Sequence, residues 1–470
     1  MATPRPESYS AGFDRDRLRV LHSAPVDPPS LGTAAEFFAT RGTNTFASVA
    51  LAQRQARPLI QPRGGFIQFK DQRNLTLALD EAGADFIPLT IDSHSRHNDY
   101  AVAAVLLERS EIEDKNLANG YPLVNHGHRA TRRLYEGIDK PVSLRHGTPD
   151  ARLLVETAMA SGITEIEGGA LSYTLPYSRS YPIAQALVHW QYVDRLVAEL
   201  STPERRIHRE SFGVLTATMV PPVMTVVVEL CELLLAAEQG VTSFSLSFSE
   251  TGSLIQDLAL ARVLRHSAAE FLARFGFTDV NVFIVYHQWM GAFPYDVEPA
   301  NALIANATQK AAIIGADKVV TKTKDEARGL PSLESNTEAV RLVHYVLRHS
   351  QAMASVNSPE VSEEAARIQG ETDAVMTAIF DLQNQAFWNS VAVAFEKGII
   401  DVPFSPHEQN ANRMVTRRGQ GDGIFISEAG NVPIPPDLLT SEHAALNAAE
   451  KTKDQGLFKS LVQDINLMSA

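Results

Sequence analysis

The chain has 470 residues, 44% hydrophobic and 21% charged, which suffices for one large domain with an appendage and a genuine apolar core. Its 42 Lys+Arg against 55 Asp+Glu leave a net charge of -13, arguing against nucleic acid or an anionic membrane as main partner, since both need a basic face. The single cysteine, Cys231 in an apolar run, excludes an intrachain disulfide and a cysteine metal cluster, and no run of about 18 apolar residues is present to span a membrane.

The first stretch, Met1–Ser10, is polar and proline-bearing without an apolar signal core, so the expected compartment is the cytoplasm. Residues 1–56 read as an extended arm with a short helix at Ala34–Ala39, Thr33 being its candidate cap. From about Arg57 to about Val320 one theme repeats: a short apolar or β-branched run ends in polar or glycine-rich residues, and an amphipathic stretch follows. The runs are Pro58–Gln61, Phe86–Ile91, Val142–Leu144, Ile163–Ile166, Ser211–Leu215, Val241–Phe248, Val280–Tyr286 and Lys318–Thr321. Helical patterns between them include Ala151–Ala160, Ile183–Leu200, Val223–Glu238, followed by Gly240 as a C-cap glycine, and Leu254–Phe275. Strand alternating with helix eight times predicts an α/β protein with a parallel sheet closed as a (β/α)8 barrel over 57–357; a doubly wound open sheet has the same periodicity. A ninth run, Pro122–Asn125, is read as part of a loop because it is short and flanked by Asn119-Gly120 and Gly127. Residues 358–470 read as a mostly helical appendage, with helical stretches at Ser362–Lys397 and Ser441–Leu467 around a glycine-rich segment, Arg417–Gly430.

Barrel active sites are built at the C-terminal ends of the strands. Here the strand exits read Pro62-Arg63-Gly64-Gly65, Asp92-Ser93-His94-Ser95-Arg96-His97, Arg145-His146-Gly147, Glu167-Gly168-Gly169, Ser249-Glu250-Thr251, His287-Gln288-Trp289 and Lys322-Thr323-Lys324-Asp325-Glu326. Arg63, Arg96 and Arg145 would meet at the mouth, where permanently charged, two-pronged donors suit a substrate with two carboxylates or a phosphate. Any one of them alone reads equally as a rim salt bridge. Glu167 is placed to take an ammonium group, or else to balance an arginine. His94, His97, His126, His128 and His146 raise a metal reading, but the one His-x-His pair falls in the loop segment and no HExxH helix appears, so no metal ligands are expected from this chain. No G-x-x-x-x-G-K-[ST] or G-x-G-x-x-G loop and no Ser-His-Asp arrangement is evident.

With these exits stand longer words: Asn119-Gly120-Tyr121-Pro122-Leu123-Val124-Asn125-His126-Gly127, Leu144-Arg145-His146-Gly147-Thr148-Pro149-Asp150-Ala151-Arg152-Leu153-Leu154, Ser172-Tyr173-Thr174-Leu175-Pro176-Tyr177, His287-Gln288-Trp289-Met290 and Thr321-Lys322-Thr323-Lys324-Asp325-Glu326-Ala327. Taken in order from about residue 55 to 340, and more loosely to about 430, they resemble the catalytic (epsilon) subunits of glutamate mutase, also called methylaspartate mutase. The resemblance implies a (β/α)8 barrel. It implies reversible, adenosylcobalamin-dependent radical rearrangement of L-glutamate to (2S,3S)-3-methylaspartate. It also implies a small sigma subunit that carries most of the cobalamin, and a heterotetramer built on a homodimer of this chain. By the same resemblance the substrate positions fall on Arg63, Arg96, Arg145, His146, Glu167, Tyr173 and Tyr177. The coenzyme positions fall on Gly65, Asn119, Pro176, Phe293, Lys322, Glu326 and Leu330, with Lys322 and Glu326 on the adenosine ribose. Thr90, Phe212 and His287 fall on further pocket positions.

Asp92-Ser93-His94-Ser95-Arg96-His97 nearly matches the D-x-H-x-x-G loop that supplies cobalamin's lower histidine, yet His97 replaces its glycine and no flavodoxin-like domain surrounds it. That near-match is read as chance, which is why a separate cobalamin carrier is expected. The sequence departs from the family pattern at Ala170, Leu171, Thr174 and Lys324-Asp325, beside the pocket and away from the three arginines. The rival readings are a radical mutase for a related acid, a non-catalytic regulatory barrel and a metal-dependent hydrolase or lyase.

Overall fold

The computed structural model describes residues 9–40, 44–53, 57–215, 219–350, 358–382, 386–450 and 457–469. Eight short parallel strands form its centre: β1 (Leu59–Gln61), β2 (Ile87–Thr90), β3 (Val142–Arg145), β4 (Glu165–Glu167), β5 (His208–Glu210), β6 (Ser243–Ser249), β7 (Asn281–His287) and β8 (Lys318–Val320). Each pairs with its sequence neighbour from β2 round to β8, and β8 pairs with β1 through Leu59–Lys318, Ile60–Val319 and Gln61–Val320. The β1–β2 seam is closed by backbone bonds: the Asp85 and Phe86 N–H groups donate to the Ile60 carbonyl (2.9 and 3.3 Å), and the Thr90 N–H donates to that of Gly64 (3.2 Å). A (β/α)8 barrel results, and the open-sheet alternative is set aside.

Seven strands lie on or beside the predicted runs; the fifth does not. β5 is His208-Arg209-Glu210, and the apolar run Ser211–Leu215 is its exit. The strand escapes an apolar pattern because both of its faces meet polar partners. His208 and Glu210 reach Lys318 and the serines of β6 on one side, while Arg209 donates to Asp194 (2.6 Å) on the other. The loop reading of 122–125 gives way to a helix, Leu123–Leu134, broken at Gly127, whose φ of 78° is open to glycine.

The arm is helical rather than extended, with helices at Tyr9–Leu21, Thr33–Thr40 and Phe46–Gln53; residues 1–8, 41–43 and 54–56 lie outside the described residues. Amphipathic packing explains the first helix, whose buried Arg17 clasps Glu156 with two bonds (2.7 and 2.9 Å). Thr33 starts its helix, but its hydroxyl accepts from the Ser30 N–H (2.8 Å) and does not cap it. Phe46, fully buried, closes the barrel floor, stacked on His208 (4.0 Å between ring centres) and packed on Phe86 (5.2 Å) and Phe283 (5.0 Å).

The predicted stretch Ser362–Lys397 is two helices, Pro359–Phe380 and Phe387–Lys397, and the final predicted helix, Ser441–Leu467, is helical over the described spans Pro436–Glu450 and Leu457–Ile465; residues 351–357, 383–385 and 451–456 lie outside the described set. Pro359–Phe380 packs on the barrel helices Leu254–Arg274 and Pro222–Glu238. The glycine-rich segment forms a hairpin of β9 (Val415–Arg418) and β10 (Ile424–Glu428), anchored where Gln256 exchanges two bonds with the Ile424 backbone (2.9 and 2.8 Å). Among the described residues no helix is long and apolar enough to cross a membrane.

Because Phe46 fills the floor from an element distant in sequence, Phe46→Ala should cost about 3–5 kcal/mol of stability. Urea unfolding of the two proteins checks this, and an unchanged midpoint would show that the floor is closed by other groups.

Candidate active site

The end of β3 delivers Arg145 into the barrel, where it is 4% exposed. Its guanidinium donates to Glu167, at the end of β4, and lies 3.6 Å from Glu210, at the end of β5. Burial works against the charged guanidinium, but Glu167 and Glu210 outweigh it and raise its pKa. The other Glu167 oxygen accepts from the Tyr173 hydroxyl at 2.5 Å. The turn after β4 makes that contact possible: Gly168 has φ 111°, and a Cβ there would stand 2.1 Å from the Tyr173 ring. A Cβ at Gly169 would collide with the Glu232 carboxylate at 2.2 Å, which accepts the Leu171 and Ser172 N–H groups (2.8 and 3.0 Å). The departures Ala170 and Leu171 are thus buried over Glu232, and Lys324 and Asp325 are engaged with Glu338 and Ser335.

The other two arginines approach from the rim. Arg63 is half-buried and donates to the Met290 sulfur at 3.7 Å. Arg96 rides a 3-10 turn started by Asp92, which accepts the His94 and Ser95 N–H groups (2.9 and 3.1 Å), and its Nε donates to the Ile91 carbonyl (3.0 Å). Among the described residues neither has a carboxylate within 4 Å, in contrast to Arg145. Tyr177, 37% exposed at the mouth, has Arg63, Arg96 and Arg145 together among its charged neighbours, which puts the three cations around one volume. Tyr173, Tyr177, Phe212 and His287 form a continuous aromatic wall, with ring centres 5.7, 5.9 and 5.5 Å apart in that order.

His146 and His287 are held neutral. Burial drives both pKa values well down, reinforced for His146 by Arg209 and Arg96 and for His287 by Arg145 and Arg63. Buried polar atoms without hydrogen-bond partners gather here: Arg145 Nη1, Glu210 Oε1, His146 Nε2 and both nitrogens of His287. Leaving such atoms dry and unpaired is costly, so their convergence marks a polar ligand's place.

Positions that the resemblance assigns to the coenzyme lie on the surrounding loops. Lys322 is buried and donates to Glu326 at 2.6 Å; burial, then Arg63, pulls its pKa down to about 8. Gly65 sits against the β2 exit, where a Cβ would be 2.4 Å from the Thr90 carbonyl oxygen, and Thr90 Oγ1 accepts the Gly64 N–H (3.3 Å). Phe293 is buried and Pro176 half-buried, whereas Asn119 and Leu330 (52% exposed) are open to solvent. The His-x-His pair is divided between partners: His126 bonds the Ile67 carbonyl (2.9 Å) and His128 that of Asp27 (3.1 Å). Two buried groups, Glu165–His208–Glu210 and Glu167–Glu210–His287, have donors close enough for a cation. Protein cations already occupy both, Lys318 in the first and Arg145 in the second. Glu165, Glu210 and Lys318 went unrecognised as site residues in the sequence. The available signal was a full charge inside each of three barrel strands.

A closed parallel barrel whose C-terminal mouth collects three guanidiniums, one of them clasped by buried carboxylates, is the framework of an enzyme for small anionic substrates. Residues 42–470 match the family described as methylaspartate mutase E chain (MutE). The glutamate mutase epsilon subunit of Escherichia coli O157:H7 is 39% identical over 421 residues, covering 89% of this chain and 87% of that protein. Those of Desulfitobacterium hafniense (38%, 89% and 87%) and Haloarcula marismortui (38%, 88% and 84%) are similarly related. The chain belongs to the methylaspartate mutase E chain family and is an isomerase of the intramolecular transferase kind.

The β4 turn yields a direct check. Gly168→Ala adds a methyl against Tyr173 at positive φ, and should cost about 1–3 kcal/mol or more. A thermal melt equal to that of the parent would mean that the turn tolerates a side chain.

Proposed function

We propose that this chain is the catalytic barrel subunit of glutamate mutase, interconverting L-glutamate and (2S,3S)-3-methylaspartate. It uses adenosylcobalamin shared with a small sigma subunit, as a cytoplasmic heterotetramer built on a dimer of this chain. The family membership supports the reaction. The observation that carries the site is the gathering of Arg63, Arg96 and Arg145 around Tyr177, two of them without a carboxylate of their own among the described residues. A dicarboxylate supplies the missing partners, and the acidic Glu167 suits the substrate's ammonium.

Adenosylcobalamin, when bound, supplies a carbon-centred radical by homolysis of its cobalt–carbon bond. The chain's own work is to bind, orient and shield. Arg63 and Arg96 hold one end of the substrate from the rim while Arg145 holds the other from inside, so that both parts stay anchored while the skeleton changes connectivity. His146 and His287, kept neutral, offer hydrogen bonds without adding charge. The closed floor and the buried Tyr173, Phe212 and His287 keep water from the inner chamber, with Tyr177 at its exposed mouth. Lys322 and Glu326 fit the ribose diol, since they offer an N–H donor and a carboxylate acceptor side by side. Gly65 and Asn119, with Pro176, Phe293 and Leu330, would border the coenzyme's face, and Thr90 and Phe212 would line the substrate chamber. On this reading 57–357 is the catalytic barrel, with 1–56 and 358–470 as its arm and appendage.

The test is an assay with L-glutamate, adenosylcobalamin and a sigma-type subunit, scored as 3-methylaspartate formed only when all components are present. Arg145→Lys should lower kcat/KM on the order of 100-fold, because an ammonium cannot reproduce a two-pronged clasp. Equal kcat/KM would remove Arg145 from the substrate site. Lys322 is charged below about pH 8 and neutral above it, so the coenzyme KM should rise as the pH passes that value. A flat coenzyme KM across that range would dissociate Lys322 from the ribose.

A further inference from the structure

Beneath Arg145 the barrel holds a second, deeper set of charges that the substrate reading leaves without a role. Lys318, at the start of β8 and fully buried, spends its three ammonium donors on Gln61 (2.5 Å), Glu165 and Glu210. Glu210 turns one oxygen to Lys318 and the other toward Arg145. The floor below is sealed by Phe46, whose ring centre is 5.1 Å from Lys318 Nζ.

In this dry volume the fixed charges do not balance: two cations, Arg145 and Lys318, face three carboxyl groups, Glu165, Glu167 and Glu210. His208, stacked on Phe46 and hydrogen-bonded to Ser243 and Ser245, is neutral, and so is His287. An unpaired buried charge costs several kcal/mol, which favours a proton on one carboxyl, and burial raises the pKa of both Glu165 and Glu167. Glu167 accepts a donor on each oxygen, from Arg145 and Tyr173. Glu210 stands between both cations. Glu165 meets a single cation, Lys318, lies against the Glu210 carboxyl, and its Oε2 has no hydrogen-bond partner.

We propose that Glu210 and Lys318 are positioning residues that hold the Arg145 guanidinium in register for substrate, and that Glu165 keeps the set neutral by carrying a proton. Burial, with Glu210 adding its like charge against Lys318, raises the Glu165 pKa to about 8, while Lys318 and Arg145 outweigh burial and hold Glu210 below the ordinary range. The part concerning substrate rests on Arg145 being the clasp; the protonation does not.

Two measurements separate these parts. Infrared difference spectra of the chain alone, parent minus Glu165→Gln at neutral pH, should show loss of a protonated carboxyl C=O band. The difference is needed because other buried carboxyls, Glu229 among them, are also driven toward the acid form. In the parent a carboxyl band should fade with a midpoint near pH 8, a readout that needs no variant to fold. Loss of a carboxylate band instead, with no titration near that pH, would overturn the protonation. In the assembled enzyme, Glu210→Gln should raise the glutamate KM at least about tenfold with kcat changed less than about threefold, and Glu210→Asp should recover part of the loss. A folded Glu210→Gln enzyme with parental KM would overturn the positioning role. Should Arg145→Lys also leave kcat/KM unchanged, it is the clasp reading that fails, and the infrared result still stands by itself.

Discussion

Arg145 carries a permanent charge into a barrel sealed from below, and a guanidinium in such a place survives only among carboxylates that match it. Glu167 and Glu210 meet that requirement, and each brings a further condition. Glu167 needs a second donor, which Tyr173 provides, and Tyr173 needs the side-chain-free turn at Gly168 to lie where it does. Glu210 needs a second cation, which is Lys318, and Lys318 in turn draws in Gln61 and Glu165. The consequence is a barrel filled with compensated charge where an ordinary barrel packs aliphatic layers.

The mouth depends on a different constraint, the close approach of backbone to backbone at the strand exits. A Cβ at Gly213 would lie 1.7 Å from the Ser247 carbonyl oxygen, and one at Gly65 would meet Thr90. The C-terminal residues contact these exits from outside. Ser405 donates to the Leu175 carbonyl (2.8 Å) and His407 bonds that of Tyr181 (2.8 Å), bracing the short helix Thr174–Tyr177. Arg418 reaches the Thr251 carbonyl (2.7 Å) and lies over the Trp289 ring at 5.6 Å, beside the Met290 that contacts Arg63. Ser405 and His407, more than 200 residues further along the chain, thus brace the helix that carries Tyr177.

Much of this was legible beforehand. Seven strands announced themselves as short apolar runs because their outward faces pack on helices, and Arg63, Arg96 and Arg145 stood out because each follows such a run. The fifth strand was misplaced because His208-Arg209-Glu210 finds its partners in charge and not in apolar surface. The end of the helix at Phe380, inside the stretch read as one helix, is not visible in the sequence, since amphipathic periodicity continues on both sides of it. Thr33 illustrates the same limit at small scale: a hydroxyl at a helix start can serve a neighbouring turn instead.

Local pattern determined the alternation of strand and helix, the glycine-marked exits and the residue types at the mouth, since those are consequences of backbone sterics and of chemistry carried by single side chains. Only the tertiary structure decided that Phe46 closes the floor and that Lys318 lies within reach of Glu165 and Glu210. It also decided that Arg145 is clasped while Arg63 and Arg96 are left without a carboxylate among the described residues. Those relations join residues up to 257 positions apart, as with Gln61 and Lys318, and they are set by barrel closure and the balance of buried charge, neither of which a local stretch of sequence contains.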